Sequence, residues 1–191
     1  MGGPGLIIVR WRALPAMVGM ALVVSFVAPG GAGATGILPP ADPLQSIAPP
    51  AGVQSACSSV PVTSACIAAA TAAIDTDRSS EGVGPISLPA NFGSLTVQQQ
   101  TLVVADLERI DRGLPPIVGL AAGLDALAQQ GANADGDPPL TAPGNPEAGN
   151  WASTANPLYA DVLFLYDDGP GGPNADCTVA GQQGCWEHRD N

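Results

Sequence analysis

Apolar positions in this 191-residue chain fall into a few short periodic stretches, separated by long tracts rich in proline and glycine. The clearest periodic stretch is SLTVQQQTLVVADLERIDRGLPPIVGL, Ser94 to Leu120. Thr96 with Gln99 three residues on is a capping-box signature, and Val103, Leu107 and Ile110 recur at i, i+4 and i+7 on one face. Gly113 suits the left-handed position beyond a helix, and Pro115-Pro116 bar continuation. The pattern predicts a helix from Val97 to Arg112. The segment CIAAATAAIDTDR, from Cys66 to Arg78, is helical by its alanine content. It puts Ile67 and Ile74 on one face, and Gly82, Gly84 and Pro85 stop it. A further helix is predicted from about Leu120 to Asn133, with Leu120, Leu124 and Leu127 as its apolar stripe. The last, PLYADVLFLYDDG, opens with Pro157 in its first turn and presents Leu158, Val162 and Leu165. Tyr159, Phe164 and Tyr166 read as core bulk, and Gly169 to Pro173 ends the helix.

Two helix ends echo each other at an offset of 31 residues. Arg78, Gly82, Pro85 and Ile86 align with Arg109, Gly113, Pro116 and Ile117. The plain explanation is a helix-stop design used twice, and a duplication is the alternative. Two copies are too few for a solenoid, whose units bury their faces only by stacking.

The N-terminal segment has another character. Arg10 and Arg12 precede an uncharged apolar run from Ala13 to Ala28, and Ala32-Gly33-Ala34 fits a small-residue cleavage site. That order marks an export signal, and the run is short for a membrane span, which needs about 20 apolar residues. Residues 35–61, including LPPADPLQSIAPPAG, lack the apolar content to offset ordering and read as a flexible linker. The loop DGDPPLTAPGNPEAGN is acidic, but Pro139 and Leu140 break the EF-hand spacing, so a solvated turn is expected.

Charge narrows the function classes. Formal net charge is −11, with 17 acids and no lysine. Removing the signal would leave Arg78, Arg109, Arg112 and Arg189 as the cations. Such a surface repels phosphate backbones and anionic lipid, so nucleic-acid binding is excluded and no membrane span is expected after signal cleavage. The four cysteines form two close pairs in the exported part. Disulfides persist in oxidising compartments, and short loops close at least entropic cost, which predicts Cys57–Cys66 and Cys177–Cys185. Neither pair has zinc-ligand spacing.

Catalytic signatures are sparse: there is no G-x-S-x-G elbow, no lysine base and no H-E-x-x-H. The one histidine, His188, lies between Glu187 and Asp190 in the terminal CWEHRDN, where adjacent carboxylates would favour its charged form. His188, Glu187 and Asp190 are therefore the candidate cavity residues.

The motifs then resemble a known family. Leu107-Glu108-Arg109, followed by Gly113-Leu114-Pro115-Pro116-Ile117 and LAAGLDALAQQGANAD, resembles the opening of bacterial CAP-superfamily domains (cysteine-rich secretory proteins, antigen 5 and plant pathogenesis-related proteins). Asn150-Trp151-Ala152 lies where that family has Gly-Glu-Asn, and Cys185 to Asn191 is similar to its Gly-His-Arg-x-Asn-Ile-Leu motif. The resemblance covers roughly Leu102 to Asn191. It implies an α+β fold, an α-β-α sandwich, of which this chain would carry mainly the helical part with long loops. The family's core strands follow the histidine motif, so the resemblance implies a domain incomplete at its C-terminus. It also implies a cavity of two histidines and two acids, sometimes holding a divalent metal. Here Gly131 or Ala132 stands for the first histidine, Gly149 for the glutamate, and Asp167 or Asp168 for the second acid. With His188 alone remaining, no metal and no cofactor are expected.

The organisation expected is a signal peptide over 1–34, a linker over 35–61, a helix-and-turn lead-in over 62–95 and a partial CAP-like domain over 96–191. The expected function is extracellular, non-enzymatic binding of an unknown ligand or protein. The alternatives are a secreted hydrolase using His188 with a neighbouring carboxylate, and a cell-wall-associated structural protein.

Overall fold

The computed structural model describes residues 7–11, 22–24, 41–47, 52–59, 62–120, 122–134, 136–138, 149–174 and 176–191, and their regular structure is mostly helical. Most of the export-signal reading, with the Ala32-Gly33-Ala34 cut site, lies outside these residues, as does most of the DGDPPLTAPGNPEAGN loop. Among the described residues there are three short strands: β1 (Ile7–Trp11), β2 (Leu22–Val24) and β3 (Asn150–Ala152). β1 pairs antiparallel with β2 and parallel with β3, giving the order β2-β1-β3.

The helices start and stop where local chemistry directs. A short helix α1 (Val53–Ala56) leads to α2 (Ser64–Ser80), whose N-cap Thr63 accepts from the Cys66 amide. α3 (Val97–Asp111) opens on the complete Thr96/Gln99 capping box. α4 (Ala122–Asn133) lies against β1 and β2. α5 (Pro157–Leu165) is capped by Asn156, whose side chain accepts from the Leu158 and Tyr159 amides, with Pro157 at the first helical position. A last turn, α6 (Glu187–Asp190), ends the chain.

The core joins Ala70, Ala73 and Ile74 of α2 to Val104 of α3 and to Leu158, Val162 and Tyr166 from α5 and its end. Phe92, Val53 and the Cys57–Cys66 disulfide complete it. Part of the proline-rich 35–61 segment is therefore tied to the core. Val53 and Cys57 are buried, and Ser46 and Ile47 donate backbone hydrogen bonds to the carbonyls of Pro170 and Tyr166. Hydrophobic composition alone underrates such a segment, because a disulfide and a few hydrogen bonds hold it.

The buried face of α3 differs from the Val103–Leu107–Ile110 stripe expected from periodicity. Ile110 is half exposed, while Gln100, Thr101, Val104 and Glu108 face inward. The helix is rotated toward its polar side because that side satisfies buried arginines, as described below. On α4 the stripe is likewise displaced: Ala128 and Ala132 are buried, and Leu120 stays exposed ahead of the helix.

The 31-residue echo is a structural repeat. Arg78 Nε donates to the Gly84 carbonyl and Arg109 Nε to the Pro115 carbonyl. Asp75 Oδ1 accepts from the Ile86 amide at 2.7 Å, and Asp106 Oδ1 from the Ile117 amide at 2.6 Å. The Val83 and Leu114 amides close the same turn onto the carbonyls of Arg78 and Arg109. Gly82 and Gly113 supply φ of 75° and 77°, the left-handed conformation that side chains resist. Ile86 and Ile117 are both buried. The buried acids Asp77 and Glu108 also correspond, so the two units share their interior face as well as their turns.

Candidate functional site

Complete burial of a guanidinium is tolerable only when it is paired, and Arg78, with none of its side chain exposed, is paired on all sides. It donates to Glu108 Oε2 at 2.9 Å, to Asp111, and to the Gly84 carbonyl. Arg112, one helical turn after Glu108 on α3, donates to that same carboxylate. Its other nitrogens reach Glu81 and the Tyr166 hydroxyl, each at 2.9 Å. The Tyr166 hydroxyl in turn donates to Glu108 Oε2 at 3.1 Å. Arg189 comes in from the C-terminal segment, 3.0 Å from Glu81, with a hydrogen bond to the Leu165 carbonyl. Burial alone would raise the Glu81 carboxyl, but its hydrogen bonds from Arg189 and Arg112 prevail and hold it below its ordinary value. Burial, then the charges of Glu108 and Asp161, push the Tyr166 phenol up.

Asp161 is the acid that interrupts the otherwise apolar α5. It is buried and, among the described residues, forms no ion pair. Burial and the neighbouring Glu108, to which it is hydrogen-bonded, drive its carboxyl well above the ordinary value, against the pull of Arg112 and Arg78.

His188 finds its partner in Asp168 rather than in its sequence neighbours. The Asp168 carboxylate lies 2.5 Å from His188 Nδ1 and accepts from the His188 amide at 3.0 Å. Asn174 fixes that carboxylate, donating to Oδ1 at 2.8 Å and to the carbonyls of Asp168 and Gly184. The imidazole stacks on Phe164, with centroids 5.4 Å apart and 19° between planes. Burial would lower its pKa, but the Asp168 hydrogen bond and charge, with Asp137 and Glu187 adding to them, raise it above its ordinary value. Asn150, from the Asn150-Trp151-Ala152 segment, donates to the His188 carbonyl and accepts from Asn191. Glu187 and Asp190 are exposed. Both predicted disulfides form, and Cys177–Cys185 closes the loop just before His188.

Some of these groups, Glu108, Arg112, Asp161, His188 and Arg189, border one cleft, of ≈ 90 Å³, between α3, α5 and the C-terminal segment, and Arg109 lines it too. Val104, Ala105, Leu114, Pro157, Ala160 and Phe164 supply apolar walls; Glu108 and Asp161 lie deep in it, and His188 and Asp190 line it from the C-terminal side. Of the sequence candidates, the structure brings His188 and Asp190 to the cleft and leaves Glu187 outside its lining. Gly131 and Ala132, aligned with the absent histidine, are buried in α4. Sequence reasoning missed Glu108 and Asp161. Their signals were a Glu–Arg pair at i, i+4 and a lone acid inside PLYADVLFL. Among the described residues, no group of three or more His, Cys, Asp or Glu is arranged to hold a metal ion, and no helix is long and apolar enough to cross a membrane. Compared with family models, with curated proteins and with solved structures, the chain matches none.

Proposed function

We propose that this chain is an exported, acidic, CAP-like domain that acts outside the cell as a non-enzymatic binding module, with its ligand seated in the cleft between α3 and α5. The observation that carries the reading is the cleft's make-up. Apolar walls enclose a few convergent polar groups, the usual composition of a small-molecule site. The CAP-like assignment draws support from the contact between the Asn150 and His188 segments, which correspond to two family motifs far apart in sequence. Export draws support from the two disulfides, which suit an oxidising compartment. The test is a fragment screen by NMR on the wild type and on Ala105→Phe, which fills the cleft. Ligands that shift signals of α3 and α5 in the wild type and lose that effect in the variant are expected. Hits confined to other surfaces would overturn the reading.

The hydrolase reading is favoured by one observation: Asp168 orients the His188 ring through Nδ1, as the orienting acid does in catalytic dyads. No nucleophile accompanies it among the hydrogen-bond partners of the ring. His188→Ala assayed on broad peptidase and esterase substrates separates the readings, and an unchanged profile removes the enzyme.

A further inference from the structure

We infer that residues 41–47 are a pH-controlled strap, closed over the Glu81–Arg112 ion pair in acid and released as the surroundings turn neutral.

Few attachments hold the strap. The Ser46 and Ile47 amides donate to the Pro170 and Tyr166 carbonyls at 3.0 and 2.7 Å, and the Ile47 side chain packs against the core. Ala41, Asp42, Leu44 and Gln45 are exposed. Between the strap and the end of α2 lies a cavity of ≈ 540 Å³, whose walls include Pro43, Ile47, Ser80, Glu81 and Arg112. A segment with so little packed beneath it belongs to the part of a fold that opens before the whole unfolds. Arg112 also lines the cleft, so lifting the strap uncovers that guanidinium from its other flank.

Polar groups along the strap and the elements it lies on oppose its closure. Ser46 Oγ and Asp77 Oδ2 are buried and make no hydrogen bond among the described residues, so each carries the cost of lost hydration. A Cβ on Gly172 would collide with both Ser46 Oγ and Asp167 Oδ1, which places the hydroxyl and the carboxyl in one small space. Asp167 itself stands in the turn whose Tyr166 and Pro170 carbonyls hold the strap. Asp77 and Asp167 are 1 % and 6 % exposed. Asp77 faces Glu81 on its own helix, Asp167 beyond α5 and Glu108 on α3. Asp167 faces Asp168, which His188 pairs, and its charge reaches the Tyr159 phenol of α5. At the outer end Asp42 faces Arg189 and Asp168, and its charge reaches Asp190. Arg78, Arg112 and Arg189 are paired with Glu108, Asp111 and Glu81, and neither Asp77 nor Asp167 forms an ion pair among the described residues.

Protonation favours the closed form. Burial, then Glu81, Asp167 and Glu108, carry Asp77 to about 7, and burial, then Asp168, carry Asp167 to about 6. With the strap lifted, water reaches these acids and their values fall toward the ordinary one of about 4. The closed form thus binds more protons. Its advantage is complete below about pH 4 and is lost as pH rises through the two raised values. Between pH 5 and pH 8 Asp167 alone raises the opening constant about tenfold, and Asp77 adds to that.

Amide hydrogen exchange of the full chain, followed by NMR from about pH 5 to about pH 8 and corrected for intrinsic rates, tests this. The Ile47 amide is expected to lose at least about tenfold in protection over that range, and to stay less protected than the amides of α2 and α5 throughout. Ser46→Pro removes one anchoring donor and is expected to show, already in acid, the low Ile47 protection that the wild type reaches at the alkaline end. The double variant Asp77→Asn, Asp167→Asn is expected to hold Ile47 protection level across the range. If that variant does not fold, the wild-type midpoint decides, since it should coincide with the titration of the Asp77 and Asp167 carboxyl carbons. Ile47 protection that is flat with pH in the wild type overturns the inference. So does protection equal to that of α2 and α5 at every pH, which assigns the change to global unfolding, or a full pH response in the double variant.

Discussion

Replacing Glu108 by Gln tests the buried charge network most directly. Glu108 Oε2 accepts from Arg78, Arg112 and Tyr166, and the side chains of both arginines are at most 5 % exposed. Removing one partner of a buried pair costs about 3–5 kcal/mol. Glutamine keeps the volume and one acceptor, and Asp161 offers relief. Its carboxyl is raised first by burial and next by the Glu108 charge. With that charge gone it ionises more readily toward Arg112 and Arg78. The expected cost of Glu108→Gln is therefore about 2–3 kcal/mol, below the full range. For a chain of this size that is a fall in Tm of about 4–12 °C. Asp161→Asn alone should cost about 1 kcal/mol, the centre of the usual distribution for point substitutions. In the double variant the relief is blocked, so the cost should reach about 5 kcal/mol or more. Urea denaturation and thermal melting by circular dichroism measure all four corners of the cycle. A coupling of at least about 1 kcal/mol is expected. Additivity within about 0.5 kcal/mol, or a Glu108→Gln variant that melts with the wild type, would refute the reasoning.

Further predictions concern the turns, the C-terminal packing and pH. Asp75→Ala and Asp106→Ala each strip the acceptor from one buried isoleucine amide, and should destabilise equally, by about 1–3 kcal/mol in urea midpoint analysis. A large cost at only one site would contradict the equivalence of the two turns. A Cβ at Gly169 would fall inside the ring of Trp186, so Gly169→Ala should cost about 1–3 kcal/mol of overpacking and change the tryptophan emission. Wild-type stability and emission in that variant would exclude the close contact. Burial, then Glu81, Asp167 and Glu108, push Asp77 up to about 7, and burial, then Asp168, push Asp167 up to about 6. Both hold protons that the unfolded chain releases above about pH 4, so their contribution is lost as pH rises through those values. The raised His188 has the same sign: its contribution is present below the unfolded value and lost as pH rises through the folded one. The urea midpoint should be higher at pH 5 than at pH 8, with Asp77→Asn flattening the fall, and the opposite slope would reject the assignment.

Local rules located the helices because their ends are written in neighbouring residues. Thr96 with Gln99, Pro157 after Asn156, and Gly113 before Leu114 each act within a turn of the residues they cap. Both disulfides were legible for the same reason, since each joins cysteines only 8 or 9 residues apart. The echo at 31 residues was visible as letters, but Asp75 and Asp106 became part of it only through the amides they accept from. Which face of α3 turns inward was not legible. The choice depends on Arg78, 30 residues away from Glu108, and hydrophobic periodicity has no means of scoring a buried ion pair. Asp168 was named only through the resemblance, as one of two choices for the second acid, and adjacency in sequence pointed to Glu187 and Asp190 instead. The hydrogen-bonded partner of His188 is Asp168, which the chain brings back and fixes through Asn174.

The link between Cys177 and Cys185 braces a stretch that has no regular structure. Residues 176–186 contain no helix or strand, and they lead directly into the segment that bears His188, Arg189 and Asp190 along the cleft. Reduction of that bond would loosen the approach to the cleft, while Asn174 still grips the Gly184 carbonyl and Asp168 still anchors the imidazole, so the wall itself has a second set of ties.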